Sequence, residues 1–265
     1  MTDRTTQDGV LLAADIGNSH TVLGLIGDGE VSADWLVATV DRRTADEWAV
    51  LIRGLLGDRE EEVDGIAVCS TVPVVLHEWR AMLAEHFAGV RSVVVEPGVR
   101  TGVPVLMDNP REVGSDRIVN ALAAATEYGG PAIVVDFGGT ATTFDVVNAA
   151  GQYVGGAISP GIEISLSALE RGGAQLRMVE LQRPRSVIAR NTVEALQSGM
   201  VFGVASQVEG IVARMIAELD VPPADVTVVA TGYLAPLVID ECRCFTARAP
   251  WLTLRGLELV FARNT

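Results

Sequence analysis

The 265-residue chain has no lysine; all 20 residues of the Lys+Arg class are arginine. That absence excludes the GKS/GKT phosphate loop, the strand lysine of protein kinases, Schiff-base chemistry and a lysine general base. Any phosphate this chain handles must be held by backbone N–H groups, hydroxyls, arginine and a metal. A basic face is lacking as well. The net charge of -14 argues against nucleic acid or an anionic membrane as partner, because both select positive surface. Cysteine is scarce: Cys69, Cys242 and Cys244 form no CxxC pair. Neither a disulfide framework nor a zinc site is expected, and the cytoplasm is the expected compartment. No uninterrupted apolar run approaches the roughly 18 residues of a membrane span, and the polar start MTDRTTQDGV does not read as a signal core. What the chain does have is 49% hydrophobic residues, enough for one large domain or two similar lobes.

Strand and helix signals alternate. Leu11 to Asp15 and Thr21 to Ile26 read as strands, and Gly27-Asp28-Gly29 as a hairpin turn into a third strand from Glu30 to Trp35. Thr44-x-x-Glu47 is a capping box opening a helix with Trp48, Leu51, Ile52 and Leu55 on its apolar stripe, and Gly57 is its stop. Gly65 to Ser70 reads as a buried strand, Pro73 to Phe87 as a helix and Ser92 to Glu96 as a further strand. A helix is expected from Asn109 to Tyr128, with Pro110 in its first turn. The opening then repeats: strands at Ile133 to Asp136, Thr142 to Val147 and Tyr153 to Ile158, a short helix after Pro160-Gly161, and a long helix from Asn191-Thr192 towards Leu219. Val226 to Ala230 is a strand ending in Thr231-Gly232, and Leu252 to Phe261 a closing helix. Ala13-Ala14-Asp15-Ile16-Gly17 and Val134-Val135-Asp136-Phe137-Gly138 match in pattern on matching strand–turn–strand units, which predicts a duplicated architecture.

An Asp-x-Gly turn at a strand end places a carboxylate and bare backbone N–H groups at a sheet's rim. Glycine lets the main chain approach phosphate oxygens, and Asn18, Ser19, His20 and Thr21 add donors. The carboxylate repels phosphate, so its natural work is to orient Mg²⁺ or water on Mg²⁺. A single such turn is more often structural. Two on matching meanders, with a third strand–glycine turn at Ala230-Thr231-Gly232, form the arrangement of actin-like and sugar-kinase-like ATPases, in which ATP lies between duplicated lobes. Asp116 falls in a helix, where aspartate has poor propensity. Gly114 removes bulk two residues before it, as if something approaches closely, and Arg117 offers a planar fork suited to a substrate carboxylate. The plain alternatives are a solvated helical aspartate and an intrahelical ion pair. His20 either donates to phosphate or stabilises its turn. His77 and His86 read as surface residues and Cys69 as core, while Gly199, Gly203 and Gly210 permit close helix packing, within the chain or at a dimer seam.

Over almost its whole length, from Leu11 to Asn264, the sequence resembles type III pantothenate kinases. The resemblance rests on DIGNSHTVLGL (Asp15 to Leu25), CSTVP (Cys69 to Pro73), DNPREVGSDR (Asp108 to Arg117) and DFGGTATTFD (Asp136 to Asp145). It continues through GGAISPGIEIS, RPRSVIARNTVEALQSG, ATGYLAP and WLTLRGLELVFARN. The GSDR segment and the second Asp turn are the specific parts. This likeness implies an α/β fold of two duplicated ribonuclease H-like lobes, each a mixed sheet flanked by helices, divided as residues 1–108 and 109–265 with the GSDR helix in the second. It implies ATP-dependent phosphorylation of pantothenate to 4′-phosphopantothenate, the first step of coenzyme A synthesis, by a cytoplasmic homodimer whose substrate pocket is completed across the subunit boundary. Asp15, Ile16, Gly17, Asn18, Ser19, His20, Thr21 and Val22 would hold ATP phosphates, with Mg²⁺ at Asp15 through water. Thr140 would contact ATP, and Asp136 would bind a monovalent cation, K⁺ or NH₄⁺. Asp116 would accept the proton; Gly114, Ser115, Asp116, Arg117 and Thr192 would line the substrate pocket.

The chain departs from the family pattern in four places. Gly139 adds a second glycine before Thr140, which predicts a turn longer by up to about 3.5 Å of backbone. Ser19 replaces threonine, Ser115 replaces the more frequent alanine, and Ala189-Arg190 stands where Gly-Lys is usual. Two other readings stay open on these grounds: a paralogous kinase for another small alcohol such as a nucleoside, and a non-catalytic relative.

Overall fold

A computed structural model describes residues 9–172 and 179–265. The chain divides into two compact units. The first comprises residues 1–102, 109–123 and 253–265, and the second 103–108 and 124–252. A cut at residue 108 therefore differs from the compact units, because the GSDR segment and most of the closing helix belong with the first.

In the first unit, β1 (Val10–Ile16), β2 (His20–Gly27) and β3 (Glu30–Ala38) form an antiparallel meander. Asp28 and Gly29 both have positive φ, the geometry a two-residue hairpin turn needs to follow the twist of its strands. After α1 (Ala45–Leu56) the chain returns as β4 (Val63–Ser70), parallel to β1, then passes through α2 (Pro73–His86) to β5 (Arg91–Val94). The sheet order is β3-β2-β1-β4-β5. The capping box of α1 is present in full: Thr44 Oγ1 accepts from the Glu47 N–H, and Glu47 accepts from the Thr44 N–H at 2.9 Å. Gly57 ends that helix at a φ of 55°.

Trp48 of α1 and Trp79 of α2 are fully buried with Ile52, Val75 and Met82 against Leu12, Ile16, Leu23 and Val68 of the sheet. Their rings meet at 5.3 Å in a tilted pair, an arrangement worth about 0.5–1.5 kcal/mol beyond area burial. The sheet's other face receives α7 (Leu252–Asn264) on glycines. A Cβ on Gly65 would lie 2.3 Å from the Phe261 ring, and one on Gly24 would lie 2.5 Å from Leu254. The backbone of α3 (Ser115–Glu127) crosses α7 at Gly256, where a Cβ would meet the Val119 carbonyl at 2.3 Å. Buried Thr253 donates to Asn120 beside that crossing, at 2.8 Å.

The second unit repeats the sheet. β6 (Ala132–Phe137), β7 (Ala141–Val147) and β8 (Tyr153–Pro160) form the meander, and β9 (Thr227–Thr231) and β10 (Ala247–Arg248) run parallel to β6. The order β10-β9-β6-β7-β8 is the first sheet's order read backwards. α4 (Ile162–Gly172), α5 (Thr192–Glu218) and α6 (Ala235–Val238) cover one face through Ile162, Val204, Val208, Val212 and Val238. By length and composition α5 would suffice to cross a membrane, and its Val201, Val204, Val208 and Val212 are buried in the protein. Asn191 caps α5, accepting from the Glu194 N–H at 2.9 Å and donating its amide to the Glu194 carboxylate. The two-lobed α/β architecture expected from the repeated Asp turns is the one observed.

Candidate functional site

The two Asp turns share one strand register. Across β1 and β2, Asp15 pairs with Val22 and Ile16 with Thr21; across β6 and β7, Asp136 pairs with Thr143 and Phe137 with Thr142. Four residues join the last pair in each case, so the second turn is as long as the first. Gly139 occupies the place of Asn18. The leading glycines do equal work: a Cβ on Gly17 would sit 3.0 Å from the His20 carbonyl, and one on Gly138 would sit 2.9 Å from the Ala141 carbonyl.

In the first turn, half-buried Asp15 keeps its carboxylate at the strand end, and Cys69 on β4 donates its thiol to Oδ1 at 3.3 Å. Cys69 is fully buried, as a core residue should be, yet it touches the turn's acid. The ladder partnership of Asp15 with Cys69 explains the contact; it is invisible until the two strands are paired. The eight consecutive residues expected at phosphate do not all present side chains. Ile16 is buried in the core, and its carbonyl accepts from the Thr71 N–H. Thr21 is fully buried with its hydroxyl on that of Thr39 at 2.9 Å. Asn18 is exposed, and Gly17, Ser19, His20 and Val22 are half-buried. The main chain is fixed by Gly17 N–H to His20 and Thr39 N–H to Ser19, both at 3.0 Å.

The GSDR segment corrects one expectation. The helix does not run from Asn109: Pro110–Glu112 is a short 3₁₀ turn, and α3 begins at Ser115. Gly114 therefore precedes the helix, and the group that approaches it is Asp116 itself, whose Oδ1 would lie 2.4 Å from a Cβ there. Any other residue at 114 would push the carboxylate out of its place. Ser115 fastens the helix start to the end of β4, accepting from the Ser70 N–H at 3.2 Å and donating to the Ser70 carbonyl at 3.1 Å. Ser70 is the ladder partner of Ile16, so this clasp sets Asp116 beside the strand ends that carry the first turn. Among the described residues, Asp116 Oδ1 is buried without a hydrogen-bond partner, a condition costing about 1–3 kcal/mol. Burial raises the Asp116 pKa, against the opposing pull of the Arg117 backbone N–H and guanidinium. A buried carboxyl with a raised pKa and an unpartnered oxygen is a candidate for proton transfer.

In the second turn, Asp136 is half-buried and Gly232, with φ of 93°, lies against it; a Cβ there would be 2.5 Å from Oδ1. Thr231 is the ladder partner of Asp136, the place Cys69 holds opposite Asp15. Thr140 is half-buried, with its carbonyl accepting from the Gly161 N–H at 2.9 Å. Two residues escaped sequence reasoning here. Tyr233 donates its hydroxyl to Glu163 at 2.9 Å, and both touch Gly139. Their signals were the motifs that hold them: Tyr233 lies in ATGYLAP, after the third glycine turn, and Glu163 in GGAISPGIEIS, after Pro160-Gly161. Thr192 lies exposed in the first turn of α5, next to Glu194, which Arg185 holds in an ion pair at 2.6 Å. Arg185 also keeps the Glu194 carboxyl below its usual range. Gly199 and Gly203 are exposed with open space where a Cβ would stand, so close packing within the chain does not account for them. His77 is exposed, and His86 is paired with Asp46 at 2.8 Å. Burial pushes the Cys242 and Cys244 thiols up to about 12 and about 11, which leaves them unreactive.

Comparison with known proteins agrees with the geometry. The type III pantothenate kinase family profile matches residues 11–214. A type III pantothenate kinase of Nocardioides sp. (strain ATCC BAA-499 / JS614) is 79% identical over 254 residues, covering 96% of this chain and 99% of that one. One from Thermobifida fusca (strain YX) is 60% identical over 263 residues, covering 97% and 100%. Among solved structures, component A of (R)-2-hydroxyglutaryl-CoA dehydratase from Acidaminococcus fermentans superimposes with a TM-score of 0.52 at 15% identity, covering 96% of this chain and 98% of that one. MreB5 of Spiroplasma citri gives 0.51 at 10%, covering 96% and 95%. At those identities they speak for the fold alone, an actin-like ATPase fold. The chain is a kinase and belongs to the type III pantothenate kinase family.

Proposed function

We propose that this chain moves the γ-phosphoryl group of ATP onto the primary hydroxyl of pantothenate, with Asp116 as general base. The observation that carries the assignment of the base is the buried Asp116 Oδ1, partnerless among the described residues and held by the Ser115–Ser70 clasp beside the first turn. The alcohol oxygen bonds to the γ-phosphorus, the bond from that phosphorus to the ADP oxygen breaks, and the alcohol proton passes to Asp116. Phosphoryl transfer through a loose transition state asks for positioning and charge neutralisation rather than covalent help. A positioned carboxylate contributes about 10²–10⁴-fold.

The first turn, Asp15 to Val22, holds the phosphates, chiefly through main-chain N–H groups and the side chains of Asn18, Ser19 and His20, since Ile16 and Thr21 are committed to the interior. Thr140 contacts ATP from the second turn, and Gly114 to Arg117 with Thr192 receive pantothenate. The oxygen donors fit hard cations. Asp15 would hold Mg²⁺ through water, and Asp136 would hold K⁺ or NH₄⁺; when bound, these ions neutralise charge on the phosphates. The homodimer and cytoplasmic location follow from the resemblance, and the open faces of Gly199 and Gly203 on α5 support a seam between copies. The substitution at Ser115 does not favour a different acceptor, because its hydroxyl is spent on Ser70.

The test is phosphate transfer by purified protein with Mg-ATP, with and without K⁺, against pantothenate and a panel of nucleosides. Pantothenate alone should turn over. No transfer to pantothenate, or a preferred nucleoside, overturns the assignment.

A further inference from the structure

From residue 15 to 23 and from 136 to 144, the two turns agree position by position in how buried each residue is, with one exception: Asn18 is exposed and Gly139 is buried. What covers Gly139 is the pair Tyr233 and Glu163. A Cβ on Gly139 would stand 2.1 Å from Glu163 Oε2 and 2.2 Å from the Tyr233 hydroxyl. The Gly139 N–H donates to the Tyr233 oxygen, and Tyr233 passes its own proton towards Glu163 Oε2 at 2.9 Å. On its other side Gly139 gives its carbonyl to the Ile164 N–H at 3.1 Å. Both polar groups of this peptide residue are thus fastened, the carbonyl to the start of α4 and the N–H to a side chain following β9.

We propose that Tyr233 and Glu163 are positioning residues that lock the backbone of the second turn in its nucleotide-binding shape, and that Gly139 is glycine to make room for them. The inference rests on the assignment of the second turn, through Thr140, to ATP. The added glycine and the tyrosine after Thr231-Gly232 are then one device, and Gly139 no longer argues for a non-catalytic relative. Desolvation, reinforced by the Glu163 carboxylate, raises the phenol pKa far above the usual tyrosine range. Glu163 and Tyr233 need not touch substrate; they act through the Gly139 peptide.

Calorimetric titration of a non-hydrolysable Mg-ATP analogue into wild type, Tyr233→Phe, Glu163→Ala and Glu163→Gln tests this, with KM for ATP and for pantothenate measured on the same preparations. Tyr233→Phe and Glu163→Ala should each weaken nucleotide binding about fivefold, the worth of one net hydrogen bond. The double variant should be no weaker than either single one, because the pair acts as a unit. Glu163→Gln keeps an acceptor oxygen and should stay within about twofold of wild type. KM for ATP should rise while KM for pantothenate holds. A lowered melting temperature with unchanged nucleotide affinity in Tyr233→Phe would make the pair merely structural and overturn the proposal. A wild-type chain that binds nucleotide but leaves pantothenate untouched breaks the acceptor assignment alone, with the affinity ratio still deciding this one. A wild-type chain that binds no nucleotide overturns both.

Discussion

The first and second turns share a strand register, a leading glycine pressed against a carbonyl, and an aspartate at the strand end. They differ in what surrounds the acid. Around Asp15 stand a thiol from Cys69 and, one ladder step on, the Ser70–Ser115 clasp that brings in Asp116. Around Asp136 stand Thr231, Gly232 and the Tyr233–Glu163 lock, with no second clasp of that kind among the described residues. On the proposed roles the two matched turns divide the labour: the first unit carries the base, and the second carries a stiffened loop. Fold alone would not assign these roles, since the same sheet order serves both.

The sharpest way to break that division is at Asp116. Asp116→Asn should lower kcat by about 10²–10⁴-fold while nucleotide binding persists; turnover within tenfold of wild type would mean that the base is elsewhere. The same variant should melt higher than wild type above the acid range. Because burial raises the folded pKa of Asp116 above its ordinary value of 3.8, the fold favours the protonated form. That preference is fully present below pH 3.8 and is lost as pH rises through the higher folded value. The melting advantage of Asp116→Asn should therefore grow from pH 4 to pH 8, and the acid limb of kcat should lie above the ordinary carboxylate range. A flat difference would contradict the burial assigned to this group.

Next in size is the contrast between the two acids. Asp15→Asn should raise the Mg²⁺ concentration needed for half-maximal rate about 10–100-fold, the usual consequence of losing an outer partner of a metal, and leave the K⁺ response in place. Asp136→Asn should abolish K⁺ activation and leave the Mg²⁺ requirement near wild type. Initial rates over a grid of both cations decide the matter, and an exchange of these phenotypes would invert the comparison. Smaller again is the glycine series. Gly17→Ala and Gly138→Ala meet carbonyls at nearly equal distance and should lower stability by similar amounts. Gly139→Ala meets two side-chain oxygens and should cost about 1–3 kcal/mol as overpacking. Denaturant unfolding of the three variants checks this; equal costs at Gly139 and Gly138 would mean that the lock gives way freely.

The backbone of this comparison was legible from sequence because both meanders announce themselves by alternation, Asp-x-Gly ends and hairpin turns. The capping box at Thr44 and the cap at Asn191 are local signals, and local geometry honours them. What escaped was whatever depends on which strand ends meet. Cys69 looked like plain core since its contact with Asp15 needs the β1–β4 ladder. Gly139 reads as an added glycine, and its crowding by residues 163 and 233 shows only in the folded chain. Gly114 reads as helix interior from sequence, whereas the helix starts one residue later and the neighbour crowding it is Asp116. Periodicity carries no information about a side chain folding back on its own helix start.

The smallest expected effect concerns Cys69 and Thr231, the ladder partners of the two acids. A thiol is a weak donor, so its bond to Asp15 at 3.3 Å should be worth less than about 1 kcal/mol. Cys69→Thr gives the first turn the residue of the second and keeps a donor, while Cys69→Val keeps a similar branched shape without one. Both side chains suit a buried strand, so the difference between them isolates the hydrogen bond from packing. The half-saturating Mg²⁺ concentration should stay within about twofold of wild type in Cys69→Thr and rise about threefold in Cys69→Val. If the two variants respond alike, the thiol fills space only, and Asp15 is aimed by the strand rather than by its neighbour. That outcome would also predict that Thr231 does nothing for Asp136 beyond filling its place in the ladder.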